Sequence, residues 1–162
     1  WIHNRRGEWW LLAQLSLIAA HLAPAWPATH LMNIEAWPNP LRLLGLTVLL
    51  LGLALALQGF LALGANLSPL PDPKPGATLV TEGVYRHCRH PLYRAVLVCS
   101  LGVVIALGSG LHLMLLLLLC VVLVGKARQE EKDLLGTLPS YATYREQTPA
   151  IVAHCPGLDW RG

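Results

Sequence analysis

From Leu41 to Leu63 the chain reads LRLLGLTVLLLGLALALQGFLAL, and Arg42 is its only charged residue. About 20 apolar residues rising about 1.5 Å each cross the hydrocarbon core of a bilayer. A stretch this long and this apolar therefore predicts a membrane-spanning helix. Three further apolar runs accompany it, at about Trp9–Ala25, Pro91–Leu107 and Leu111–Val124. The last continues as a helix through Lys126 to Leu135, so that its charged end leaves the membrane. Only Gly108, Ser109 and Gly110 separate the third run from the fourth, which predicts a tight helical hairpin. With 54% hydrophobic and 13% charged residues in a chain of 162, the balance is that of a membrane protein. A pair of core helices in a soluble domain is the alternative, but it leaves LHLMLLLLLCVVLVG without enough protein to cover it.

The expected fold is a single all-α integral membrane domain over residues 1–162. It has about four transmembrane helices, near 9–25, 41–63, 91–107 and 111–135, a connector over 64–90 and a short C-terminal helical segment. Arg5, Arg6, Lys74, Arg86, Arg89, Arg94, Lys126, Arg128, Lys132, Arg145 and Arg161 then fall on one side, and Arg42 alone on the other. The positive-inside rule places both termini and the connector in the cytoplasm. The net charge of +3 becomes a basic face suited to anionic lipid headgroups. No basic stripe with interleaved aromatics exists to bind nucleic acid.

The opposite connector, PAWPATHLMNIEAWPNP, carries Trp26 and Trp37 as interfacial anchors and offers little chemistry. Cys88, Cys99, Cys120 and Cys155 lack CxxC spacing, so neither a disulfide framework nor a metal site is expected. No small-residue cleavage pattern follows the first run, which is expected to stay as an anchor.

The connector GANLSPLPDPKPGATLVTEGVYRHCRHP has proline at 69, 71, 73 and 75, which forbids helix. Thr78 to Thr81 are expected to be extended, with a bend at Gly83. Loops of this length are functional or disordered, and the Val, Leu and Tyr content argues against disorder. In VYRHCRHPLYR, Pro91 suits the first turn of a helix and His90 its cap, where free N–H groups and Arg89 would attract an anion. Arg86 and Arg94 serve equally well as snorkelling residues at a membrane edge. In GKARQEEKDLLG, Lys126 and Glu130 are spaced as a solvated i, i+4 pair. Glu130 and Glu131, being adjacent, are expected to part, one towards a site and the other into water. Tyr141 and Tyr144 would pack a short helix onto the core.

TLVTEGVYRHCRHPLY, followed after a hairpin by EEKDLL and then YATY, resembles the isoprenylcysteine carboxyl methyltransferase and phospholipid methyltransferase superfamily over about Gly64 to Pro149. The resemblance implies an integral membrane enzyme that uses S-adenosylmethionine without a Rossmann domain, and the chain has no GxGxxG. It implies cofactor contacts from Thr78, Leu79, Val80, Tyr85, His90, Pro91, Leu92 and Tyr93 and from the glutamate pair, Glu130 foremost and Glu131 beside it. Arg89 joins them as a partner for the cofactor's carboxylate, with Tyr85 and Tyr93 against its adenine or sulfonium. Lys126 stands where the family has a substrate-handling arginine, with Arg128 nearby. The chain departs from the family at Ala95, often glycine there, and at Leu138 and Pro139, in place of Phe-Gly.

The implied reaction moves a methyl group to a lipophilic acceptor, an isoprenylcysteine-like carboxylate or a phospholipid amine, with His90 and Glu130 aligning the site. Methyl transfer requires alignment more than a protein nucleophile. An NADPH-dependent membrane reductase of the sterol reductase type, with a similar Arg-His and late tyrosines, is a second reading. A non-enzymatic lipid-binding scaffold is a third.

Overall fold

The computed structural model describes residues 7–27, 37–64 and 78–161. The alternate prolines of the connector, and most of the connector PAWPATHLMNIEAWPNP, lie outside them. Among the described residues five α-helices follow one another: α1 (Glu8–Ala20), α2 (Asn39–Leu63), α3 (Pro91–Leu107), α4 (Gly110–Thr137) and α5 (Tyr141–Gln147). A 3₁₀ turn, Gly83–Arg86, precedes α3. Among the described residues there is no strand, only an isolated bridge between Pro156 and Asp159.

Helices α2 and α4 are long and apolar enough to cross a bilayer. Both also leave most of that length uncovered, with 11% of the α2 window and 33% of the α4 window buried. A core helix of a soluble domain would be mostly buried, so these leucine faces suit lipid. Helix α3, of 17 residues, occupies the range expected of it. Helix α1 stops at Ala20, well short of Ala25. Pro24 disfavours helix at the residue before it, and the His21 ring is hydrogen-bonded to Leu17 O and to Ser100 Oγ on α3.

Glycines set how closely α2 and α3 approach. Gly45, Gly52 and Gly59 are buried, and a spacing of seven, about two helical turns, puts them in one stripe. A Cβ on Gly45 would stand 2.6 Å from Gly102 O, one on Gly52 2.7 Å from Cys99 N, and one on Gly59 2.7 Å from Leu92 Cδ2. Backbones can meet this closely only where side chains are missing, and van der Waals contact of this kind holds helices together in lipid, where the hydrophobic effect does not.

The α3–α4 hairpin turns at Gly108 (φ 58°), and the hydroxyl of Ser109 caps α4. Trp37 lies on Gly108 and donates from Nε1 to Ile105 O (2.9 Å). Ser109 Oγ accepts from Trp26 N (3.0 Å). This end is not as thin chemically as expected. His112, wholly buried, is hydrogen-bonded to Ser109 Oγ (2.8 Å) and His21 O (3.2 Å), so both ring nitrogens are partnered inside the bundle. These groups pin α1 to the hairpin.

At the other end of the bundle, the tail returns to the start of α3. Arg89 N donates to Pro149 O (2.9 Å) and His90 N to Ala150 O (3.0 Å). Ile151, fully buried, joins Leu97, Leu119 and Leu123 in the core. The carboxylate of Asp159 closes the tail loop by accepting from Ala150 N, His154 N and Arg161 Nη2. Burial alone would raise its pKa, but these donors hold it below the ordinary value of 3.8.

Gly45→Leu forces a side chain into backbone and is expected to destabilise by about 1–3 kcal/mol, read as a fall in thermal midpoint in detergent. Leu50→Ala on the uncovered face should stay within about 0.5 kcal/mol. Equal effects would show that the close approach of α2 to α3 is not limiting. For the tail, a folded-state pKa below the unfolded one means that Asp159 stabilises above the ordinary carboxylate value and loses this as pH falls through the folded value. Amide exchange at Ala150 and His154 should therefore speed up in that acid window. In Asp159→Asn it should be fast already at neutral pH, and slow exchange there would contradict this role.

Candidate functional site

Gly83, at φ 60°, starts the 3₁₀ turn that carries Tyr85 inwards. Pro91, lacking an N–H, opens α3 directly after His90. Arg89 and His90 thus sit where the connector, the tail and the later half of α4 converge.

The Arg89 side chain has no accessible surface. Its Nε donates to Glu131 Oε1 (2.8 Å), its Nη1 to Arg145 O (2.7 Å) and to Thr148 O, and its Nη2 to Trp160 O (3.3 Å). Glu131 is equally committed. Its Oε1 also meets His90 Nε2 (2.9 Å), while Oε2 accepts from Trp160 Nε1 (2.8 Å) with Arg145 Nε 3.5 Å away. Glu130, one residue back, accepts from the Tyr93 hydroxyl at Oε2 (2.8 Å), which lies 3.8 Å from His90 Nδ1. Its side chain keeps 31% of its surface accessible, and its contacts with Tyr93 and His90 are both made by Oε2.

The expectation that one glutamate points into water therefore gives way. His90 lies between both carboxylates, one ring nitrogen towards each, so it spans two positions about 100° apart on the helix. Arg89 is likewise not left to hold a cofactor's carboxylate, because its donors face the protein. Tyr93 shares its ring with the parallel ring of His90 (5.2 Å between centroids) and with the Lys126 ammonium (5.4 Å). Its hydroxyl, rather than its face, reaches the site.

Lys126 is not a solvated partner of Glu130. It is 3% exposed and donates to Gln14 Oε1 on α1 (2.8 Å), beside Gly125, on which Trp10 packs. Arg128 is exposed, with its guanidinium 5.2 Å from the Trp160 ring. Burial, and then the charge of Glu130, push the Tyr85 hydroxyl up, so this phenol lies within the field of the cluster.

Leu92 turns away, onto Gly59 of α2, and Pro91 is buried. Leu79 lines a separate open cleft of about 590 Å³ with Thr81, Ser140, Thr143, Tyr144 and Gln147. Thr78 is exposed and Val80 half-buried beside it. The two regions meet at Tyr144, whose hydroxyl donates to Tyr85 O (2.5 Å). Burial raises Cys88, whose thiol donates to Ala150 O and Ile151 O and so fastens the tail. Among the described residues no three His, Cys, Asp or Glu side chains are placed to hold a metal ion.

Sequence reasoning missed Arg145 and Trp160. Both lie far along the chain from the glutamates, and the one available hint was an isolated tryptophan in a polar tail.

A family model described as phospholipid methyltransferase matches residues 41–138, which span α2, α3 and α4 and both glutamates. The chain is also similar to the cobalt-zinc-cadmium resistance protein CzcN of Cupriavidus metallidurans, 36% identical over 120 residues. That alignment covers 71% of this chain and 50% of CzcN, so the chain spans about half the length of that relative. With the family match running through the helices and the cluster they carry, this chain belongs to the phospholipid methyltransferase family of membrane methyltransferases.

Proposed function

We propose that the domain transfers a methyl group from S-adenosylmethionine to a lipophilic acceptor, and that Glu130, with Tyr85, His90 and Tyr93 around it, holds the cofactor. The observation that carries this reading is the division between two adjacent carboxylates. Glu131 is enclosed and fully hydrogen-bonded, whereas Glu130 keeps an accessible oxygen beside stacked aromatic rings. A half-free carboxylate is the complement of the cofactor's ammonium. Arg89 and Glu131 form the wall that keeps Glu130 and His90 in place.

When bound, the cofactor supplies a methyl group activated on a sulfonium. A carboxylate acceptor is already ionised at neutral pH. An ammonium acceptor must first lose a proton, and His90 would take it. Its Nε2 faces Glu131, which when ionised can only accept, so in the neutral ring Nδ1 carries the lone pair on the side of Glu130. Of the two basic residues expected to handle the substrate, Lys126 is buried and Arg128 is exposed at the edge of the cluster, so of the two Arg128 is open to an anionic acceptor. The uncovered leucine faces of α2 and α4 would give a lipophile access from the bilayer, and the excess of basic residues supports a cytoplasmic position for this end. The resistance role in the name of the Cupriavidus protein leaves the acceptor open, and only its class is proposed.

Calorimetry of the purified protein with S-adenosylhomocysteine, and separately with NADPH, tests this. We expect the first to bind and the second not. NADPH binding alone would move the chain to the reductase reading, and binding of neither would favour a scaffold. Glu130→Gln should weaken S-adenosylhomocysteine about tenfold or more with the thermal midpoint little changed. Glu131→Gln should instead cost about 3–5 kcal/mol of stability, because it strands the buried Arg89 charge. The reverse pattern would exchange the roles assigned to the two glutamates.

A further inference from the structure

Tyr141 is 2% exposed, and its hydroxyl has no hydrogen-bond partner among the described residues. A buried hydroxyl left unmatched is destabilising, and native structures rarely keep one without a reason. Its neighbour Tyr144 is different, since that hydroxyl donates to Tyr85 O. The two rings meet edge to face, 5.9 Å between centroids, so packing α5 onto the core accounts for both rings but for only one hydroxyl.

The position of Tyr141 says what its hydroxyl faces. It stands one helical turn before Arg145 on α5, and residues four apart share a helix face. Arg145 Nε is 3.5 Å from Glu131 Oε2, and Arg145 O accepts from Arg89. Tyr141 therefore lies on the face of α5 that meets the Arg89–Glu131 pair. Burial first, and then the charge of Glu131, push its hydroxyl up, with Arg89 opposing and Glu130 adding to the rise, so it keeps its proton and remains a donor.

A zwitterionic ligand at this cluster needs an acceptor for its ammonium and a donor for its carboxylate. Glu130 supplies the acceptor. Arg89, the obvious donor, is enclosed, with its N–H groups directed at Glu131, Arg145 O, Thr148 O and Trp160 O. We infer that the hydroxyl of Tyr141 is a binding group for the amino-acid end of the cofactor, donating to its carboxylate while the free oxygen of Glu130 takes the ammonium. This rests on the methyltransferase reading. Residue 141 lies beyond the family match, which ends at 138.

The test uses the whole chain in detergent, as wild type, Tyr141→Phe and Tyr144→Phe. Thermal midpoints are measured without ligand, and affinities for S-adenosylhomocysteine and for 5′-methylthioadenosine, which lacks the amino-acid end. We expect Tyr141→Phe to keep or raise the unliganded midpoint and to weaken S-adenosylhomocysteine about tenfold. The affinity of 5′-methylthioadenosine should not change. Tyr144→Phe should lower the midpoint. Equal S-adenosylhomocysteine affinity in Tyr141→Phe and wild type would overturn the inference, as would equal weakening of both nucleosides. A midpoint in Tyr141→Phe as low as that of Tyr144→Phe would make the hydroxyl structural and would also overturn it. Wild-type protein that binds neither nucleoside would remove the methyltransferase reading itself, and this inference with it.

Discussion

A guanidinium and a carboxylate shut away from water, Arg89 and Glu131, set the arrangement that the rest of the structure follows. Desolvating each ion costs several kcal/mol, and their attraction offsets this only with good geometry and further hydrogen bonds for the remaining polar atoms. Those bonds come from separate parts of the chain: the ring of His90, the carbonyls of Arg145 and Thr148 after α5 has turned, and the indole and carbonyl of Trp160. Connector, α4, α5 and tail are therefore tied at one point. Moving any of them leaves a charge without compensation, which is a stronger constraint than leucine contacts supply in lipid.

The apolar helices reach this point through a few contacts. Leu92 sits against Gly59, two residues after His90, so the glycine stripe on α2 determines where the first turn of α3 lies and with it the His90–Tyr93 stack. On the other flank, Trp10 on Gly125 and Gln14 on Lys126 set α1 along α4 one turn before Glu130. Lipid-facing helices thus position polar groups that lie outside their apolar length.

Much of this was legible in the sequence because it is local. Long apolar runs with few charges marked α2, α3 and α4 to within two residues at each end, and Gly108, Ser109 and Gly110 marked the hairpin. The repeat of Gly45, Gly52 and Gly59 was also there to be read as a contact face and was not. Other features depend on partners remote in the chain. Lys126 reads as a solvated i, i+4 partner until Gln14, 112 positions away, takes its ammonium. Glu130 and Glu131 cannot be told apart by neighbours along the helix. They differ because Arg89 and Trp160 arrive from opposite directions in the sequence and both choose Glu131.

The cluster also draws on residues beyond the segment that the family model matches. A carboxylate whose lone pairs are all matched by protein donors can shape a site but can bind a ligand only by giving up a native bond. Glu131 is such a carboxylate, whereas Glu130 keeps part of its surface accessible and the Tyr141 hydroxyl has no hydrogen-bond partner among the described residues. Unmatched groups near buried charge persist only if the charges beside them are firmly held. Arg145 and Trp160 do much of that holding, and both lie after residue 138, where the family match ends. Cut to the matched helices, Arg89 and Glu131 would keep each other and lose most of their remaining partners. In the proposed site the tail is therefore part of the foundation, since Trp160 and Arg145 keep Glu131 fixed beside Glu130.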